Sequence, residues 1–133
     1  MIAPVLTIEP MAARNIDVVR AIDARCYSSP WGAATWRNEL AEKTRHHVVA
    51  RMDDEVLGHA GLLIMLDEVH VTTVAIHPDH QSRGLGTQLV LHLLDHARMV
   101  GGASATLEVR ASARRTQRLY ARFGFQPAGA RKS

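Results

Sequence analysis

The sequence predicts an α+β fold of three layers (α/β/α): a mixed, mostly antiparallel sheet with helices on both faces and one βαβ crossover. Three observations lead there. The chain has 133 residues, 47% hydrophobic and 22% charged, an ordinary globular composition of about one domain's length. Apolar residues recur with strand or helix spacing in the order β-α-α-β-β-β-α-β-α-β, with three consecutive strands in the middle. The late β-α-β passage calls for a parallel pair whose right-handed crossover lays its helix against one sheet face. No repeat, low-complexity tract or linker interrupts the chain, so residues 1–133 read as one domain.

Each element has a local reason. Residues 5–9 form a short β-rich run. Over residues 15–24, Ile16, Val19, Ile22 and the following Cys26 recur at spacings of three and four, an amphipathic helix that Ser28-Ser29-Pro30 breaks. A second short helix over 33–41 carries Trp36 and Leu40 on one side. Runs over 47–52 and 55–65 flank the turn Asp53-Asp54 as a hairpin, and 68–76 follows through a tight turn at Leu66-Asp67. A long helix over 85–100 buries Leu89, Val90, Leu93, Leu94 and Ala97 and turns Gln88, His92, Asp95 and Arg98 to solvent, until Gly101-Gly102 ends it. A strand over 106–110, a basic helix over 113–122 and an extended piece from Phe125 complete the order.

Composition narrows the function classes. The formal charge of +3 is too mild to indicate nucleic acid by itself, although the arginines gather late in the chain and would suit a phosphorylated ligand or an acidic partner. No apolar run approaches the roughly 18–20 residues that span a bilayer, and no signal peptide is recognisable, so neither a membrane nor export is expected. Cys26 is the only cysteine, which excludes an intrachain disulfide and makes a reducing cytoplasm the default compartment. Its place on an apolar helix stripe favours a buried structural thiol over a nucleophile. The close histidine pairs, His46-His47 and His77-x-x-His80, are read as solvent-exposed loop residues, and no metal is expected.

The chemistry-bearing stretch begins at Val74-Ala75-Ile76 and continues through a Pro turn to Gln81-Ser82-Arg83-Gly84-Leu85-Gly86-Thr87. A strand feeding a glycine loop and then a helix N-terminus gathers backbone N–H groups, and the helix dipole favours an anion there. Gly84 and Gly86 permit close approach because no Cβ intervenes. A P-loop would need Gly-Lys-Ser/Thr where Gly86-Thr87-Gln88 stands, and a dinucleotide fingerprint would need a glycine in place of Leu89. In the next strand Glu108 lies on the face opposite Ala105, Leu107 and Val109. It is either a surface carboxylate paired with Arg110 or a general base near the C-terminal end of a crossover strand. Tyr120, one turn before Gly124, is either an amphipathic core residue or a proton donor to a departing thiolate. A phenol of pKa ~10 can serve a thiol of pKa ~8.5.

Four segments together resemble the bacterial ribosomal-protein-alanine N-acetyltransferases of the GNAT superfamily. They are Val74-Ala75-Ile76, Gln81-x-Arg83-Gly84-x-Gly86, Leu107-Glu108-Val109-Arg110-Ala111-Ser112 and Leu119-Tyr120-x-x-Phe123-Gly124-Phe125. The likeness extends to Ser29-Pro30-Trp31 and Asp67-Glu68, nearly the whole chain. It implies a GNAT-like fold and transfer of acetyl from acetyl-coenzyme A, as co-substrate, to a protein's N-terminal α-amine. The acceptor it implies is a small-subunit ribosomal protein beginning with alanine, modified in a ternary complex without an acyl-enzyme. By the same likeness Glu108 is the general base and Tyr120 the general acid. Val74, Ala75 and Ile76 pair with the pantetheine arm, and Gln81, Ser82, Arg83, Gly84, Leu85, Gly86 and Thr87 cradle the pyrophosphate. Tyr27, Pro30 and Trp31 border the peptide site.

Three departures qualify the match. Ala113 replaces an asparagine that contacts the coenzyme, a loss of about 1 kcal/mol. Gly32 replaces a serine N-cap, at a cost of only a few tenths of a kcal/mol. The chain ends at Ser133 where the family adds a strand, so a truncated chain is expected, with a sheet edge open to pairing with a second copy. Two other readings stay open: a GNAT enzyme acting on a small-molecule amine or on lysine, and a coenzyme A-binding module without catalysis.

Overall fold

A computed structural model describes residues 5–66, 68–101 and 104–107 of the chain. The elements run β1 (Leu6–Pro10), a 3₁₀ turn (Ala13–Asn15), α1 (Ile16–Cys26), α2 (Ala33–Ala41), β2 (Arg45–Met52), β3 (Glu55–Met65) and β4 (Glu68–Ile76). A second 3₁₀ turn (Pro78–His80), α3 (Leu85–Met99) and β5 (Ser104–Leu107) follow. The five strands lie side by side in sequence order. β1 to β4 pair antiparallel, and β4 pairs parallel with β5 across the α3 crossover. The expected helix, last extended piece and open C-terminal edge fall outside the described residues.

Alternation along the strands divides the interior into two cores. Val48, Ala50, Ala60, Leu62, Val69 and Val71 pack on one face against Leu89, Leu93 and Ala97 of α3. Val49, Val56 and Ala75 pack on the other against Ile16, Val19 and Ile22 of α1 and Trp36 of α2. These are the three expected layers, built from the two periodicities. Both hairpins turn on residues with left-handed backbone, Asp53 (φ 52°) and Leu66 (φ 57°). Aspartate tolerates that region better than leucine does.

One irregularity was not anticipated. Val69 and Val71 face α3, yet the next residues to do so are Val74 and Ile76, so the spacing lengthens from two to three. The register slips at the same place, with Leu62 opposite Val71 but Gly61 opposite Thr73. An extra residue therefore enters β4 as a bulge, which bends the strand and raises its twist.

The histidines correct the sequence reading. His46 and His47 belong to β2, and strand alternation sends them to opposite faces. His47 is buried beneath α2, where its Nε2 lies 3.1 Å from Glu39 Oε1, while Arg45 Nε holds the other Glu39 oxygen at 2.9 Å. A Cβ on Gly61 would strike the His47 ring, so a glycine is needed there. His46 lies on the α3 side and stacks on His96 with ring centres 3.7 Å apart; His92, expected at the solvent, is half-buried beside them. His59 is fully buried and donates from Nε2 to Asp23 Oδ1 at 2.6 Å. His77 and His80 do lie in the loop after β4, each partly exposed.

This arrangement has a pH consequence. Desolvation, reinforced by His96 and His92, lowers the His46 pKa from its ordinary 6.5 to about 4. Burial also lowers His47 and His96. The unfolded chain therefore binds more protons below about pH 6.5, so stability present above that pH is lost as pH falls toward 4. Thermal unfolding measured across this interval is expected to show a falling Tm, and His46→Asn should flatten the slope. A Tm as steady in the wild type as in the variant would contradict the assignment.

Candidate functional site

After β4 the chain makes the Pro78–His80 turn, and Gln81 reaches back to donate from Nε2 to Ile76 O at 3.2 Å. Ser82 and Gly84 then adopt left-handed backbone, at φ 66° and 79°. For a serine that conformation is strained, and strain of this kind concentrates at ligand sites. Alternation of left- and right-handed residues turns successive N–H groups into a concavity suited to an anion. The first bond of α3 is Gln88 N–H to Gly84 O at 3.1 Å, and no side chain caps the helix. The N–H groups of Leu85, Gly86 and Thr87 thus stand ahead of the helical ladder at the positive end of the dipole. Gln81, Ser82, Arg83 and Gly84 are exposed, while buried Leu85 anchors the loop in the core.

Beside this loop lies the second half of β4. His77 N–H donates to Leu57 O, and Ala75 is paired with His59 two residues earlier. Antiparallel alternation therefore directs the N–H and C=O groups of Val74 and Ile76 to the edge away from β3. Pairing with β5 is described from Glu68/Ser104 to Val71/Leu107, which brings it to the start of the bulge. The outward carbonyls are engaged by side chains: Tyr27 Oη donates to Val74 O at 3.1 Å, and Cys26 donates to Ile76 O at 3.3 Å. The phenol also lies 3.2 Å from Thr73 Oγ1. Burial is the main cause that raises the Cys26 pKa, so the half-buried thiol is a poor nucleophile.

The structure thus brings Val74, Ala75, Ile76, Gln81, Ser82, Arg83, Gly84, Leu85, Gly86 and Thr87 into one continuous strand–loop–helix surface. Tyr27 touches the strand end of it. Pro30 is exposed, and half-buried Trp31 meets Trp36 edge-on at 5.0 Å. Ala75 and Leu85 differ in character, since their side chains are buried in the core. Glu108, Tyr120 and Ala113 lie outside the described residues. Sequence reasoning missed Thr73, Asp23 and His59. The one available signal was a lone histidine inside the apolar run of β3.

A helix start without a side-chain cap, joined to an outward-facing strand edge on a mixed sheet with one crossover, is the frame of an acyltransferase. Residues 16–125 match the family model described as the Acetyltransferase (GNAT) family, and the chain belongs to that family. It is 33% identical to a putative [ribosomal protein bS18]-alanine N-acetyltransferase of Bacillus subtilis, over 92% of this chain and 82% of that protein. The ribosomal-protein-S18-alanine N-acetyltransferase of Escherichia coli superposes with a TM-score of 0.83 at 28% identity, covering 93% of this chain and 79% of that one. The fold is also that of a PaiA N-acetyltransferase from Thermoplasma acidophilum solved with coenzyme A, at TM-score 0.78 and 17% identity over 92% and 90% of the two chains.

Proposed function

We propose that this acetyltransferase moves the acetyl group of acetyl-coenzyme A to the N-terminal α-amine of a ribosomal protein that begins with alanine. The observation that carries the reading is the uncapped α3 start behind left-handed Ser82 and Gly84, continuous with the outward edge of Val74 and Ile76. Those groups fit a pyrophosphate and an amide-bearing arm respectively. The acceptor is supported by the names of the Bacillus and Escherichia relatives. A ribosomal acceptor implies that the enzyme works in the cytoplasm.

The coenzyme supplies an activated thioester. Val74, Ala75 and Ile76 hold its arm and the 81–87 loop its phosphates, while Tyr27, Pro30 and Trp31 border the acceptor. Glu108 takes a proton from the attacking amine as nitrogen bonds to the acetyl carbon. Tyr120 gives a proton to the sulfur as the C–S bond breaks, so the charges balance without an acyl-enzyme. An α-amine of pKa ~7.7–8.0 is easier for one carboxylate to deprotonate than a lysine of ~10.4. Holding amine and thioester together supplies most of the remaining acceleration.

The test is a thiol-release assay with two peptides. One starts with a free alanine and lacks lysine; the other has a blocked α-amine and one free lysine. The α-amine peptide is expected to react at least about tenfold faster at neutral pH, in keeping with the difference in amine acidity. Equal or faster modification of the lysine form would move the enzyme to another acceptor class.

A further inference from the structure

The last turn of α1 carries polar groups at Asp23 and Cys26, three apart and so on one helix face, and Tyr27 follows as the extended C-cap residue. Each grips the β3–β4 pair. Asp23 accepts from buried His59 at 2.6 Å, Cys26 donates to Ile76 O at 3.3 Å, and Tyr27 donates to Val74 O at 3.1 Å. The opposite end of the connection to α2 is held as well. Trp31 lies edge-on to Trp36, which in turn meets His59 and His47 edge-on at 5.5 Å and 5.2 Å. Between these anchors Ser28, Ser29 and Pro30 are exposed.

We infer that Tyr27 is a positioning residue whose hydroxyl couples occupation of the β4 edge by the coenzyme arm to the placement of segment 27–31 at the acceptor site. The inference rests on the proposal that this edge receives the coenzyme. Val74 O is an outward carbonyl that the arm would meet, and the Tyr27 hydroxyl already donates to it. A carbonyl has two acceptor positions, so an arriving amide either displaces the phenol toward Thr73 Oγ1 or shares the oxygen with it. Both outcomes alter the bond that holds the start of segment 27–31. The second hold, Cys26 on Ile76 O, meets the same edge. Phenylalanine at position 27 keeps the ring against the second core while removing the coupling atom.

Hydrogen exchange read by mass spectrometry, with and without saturating coenzyme A, tests this on the full chain. In the wild type, coenzyme A should change exchange over 27–36 by at least about threefold, and in Tyr27→Phe by less than about 1.5-fold. The 81–88 loop should be protected alike in both, which shows that coenzyme is bound. Thr73→Val, which removes the alternative phenol partner, should fall between them. As a functional counterpart, Tyr27→Phe should raise the KM for an alanine peptide more than that for acetyl-coenzyme A. If segment 27–36 responds equally in wild type and Tyr27→Phe, or in neither, while the loop is protected, the coupling is overturned and the coenzyme site stands. If the loop shows no protection in the wild type, the coenzyme site itself fails and the inference with it.

Discussion

Glu108→Gln is expected to slow turnover roughly 10²–10⁴-fold, the usual worth of a positioned general base, with little change in coenzyme affinity. The reason lies in what glutamine keeps and loses. It retains the size and polarity of glutamate but cannot take the proton that the attacking amine must shed. Leu107, the last described residue before Glu108, pairs with Val71 where β4 begins to bulge. Tyr120→Phe should slow the reaction comparably by withdrawing the proton from the departing sulfur. The measurement is single-turnover acetylation with both substrates saturating, accompanied by direct titration of coenzyme. Near-normal chemistry in both variants would remove Glu108 and Tyr120 from their assigned roles.

The elements that sequence located best are those whose own residues carry both the apolar pattern and its ends. Helix α2 occupies the expected residues because Trp36 and Leu40 face a single core. Strand β3 also keeps its expected limits, because its long apolar run is bounded by the turns on either side although it serves both cores. Helix α1 runs two residues further than expected, to Cys26, because its last turn is held by β3 and β4. That hold could not be read from the sequence. Asp23 and His59 stand 36 residues apart, and neither has a local pattern that names the other. The histidines failed for a related reason. Adjacent His46 and His47 read as exposed even though His47 opens the expected strand over 47–52, and strand alternation sends the pair to opposite faces. The bulge in β4 did leave a trace, since Val71 and Val74 are three apart in a run otherwise spaced by two. Read strictly, that spacing marks the place where the proposed coenzyme edge begins. Tyr27 stands beside the peptide site by family likeness alone, and its bond to Val74 O was not legible in the sequence.

The loop glycines separate a conformational role from a contact role. Gly86→Val is expected to weaken coenzyme A binding by about 10²–10⁴-fold, the loss of roughly two charge-assisted hydrogen bonds of about 1.5–3 kcal/mol each. Gly86 sits in the first turn of α3, where the N–H groups have no helical acceptor, and a branched side chain there would hold a phosphate away from them. Valine is a better helix former than glycine, so the fold should survive with a small change in Tm. Gly84 should behave differently. A Cβ there meets nothing within 4 Å, yet its φ of 79° is one that alanine adopts only at a cost of about 1–2 kcal/mol. Gly84→Ala should therefore lower Tm by several degrees, which coenzyme A partly restores if the loop can still close around it. Titration calorimetry and thermal unfolding on both variants distinguish the two roles. Wild-type affinity in Gly86→Val would show that the phosphates bind elsewhere. A collapse of its Tm would instead trace the lost affinity to an unfolded loop, because a bound phosphate requires that the N–H groups of residues 85–87 remain in place.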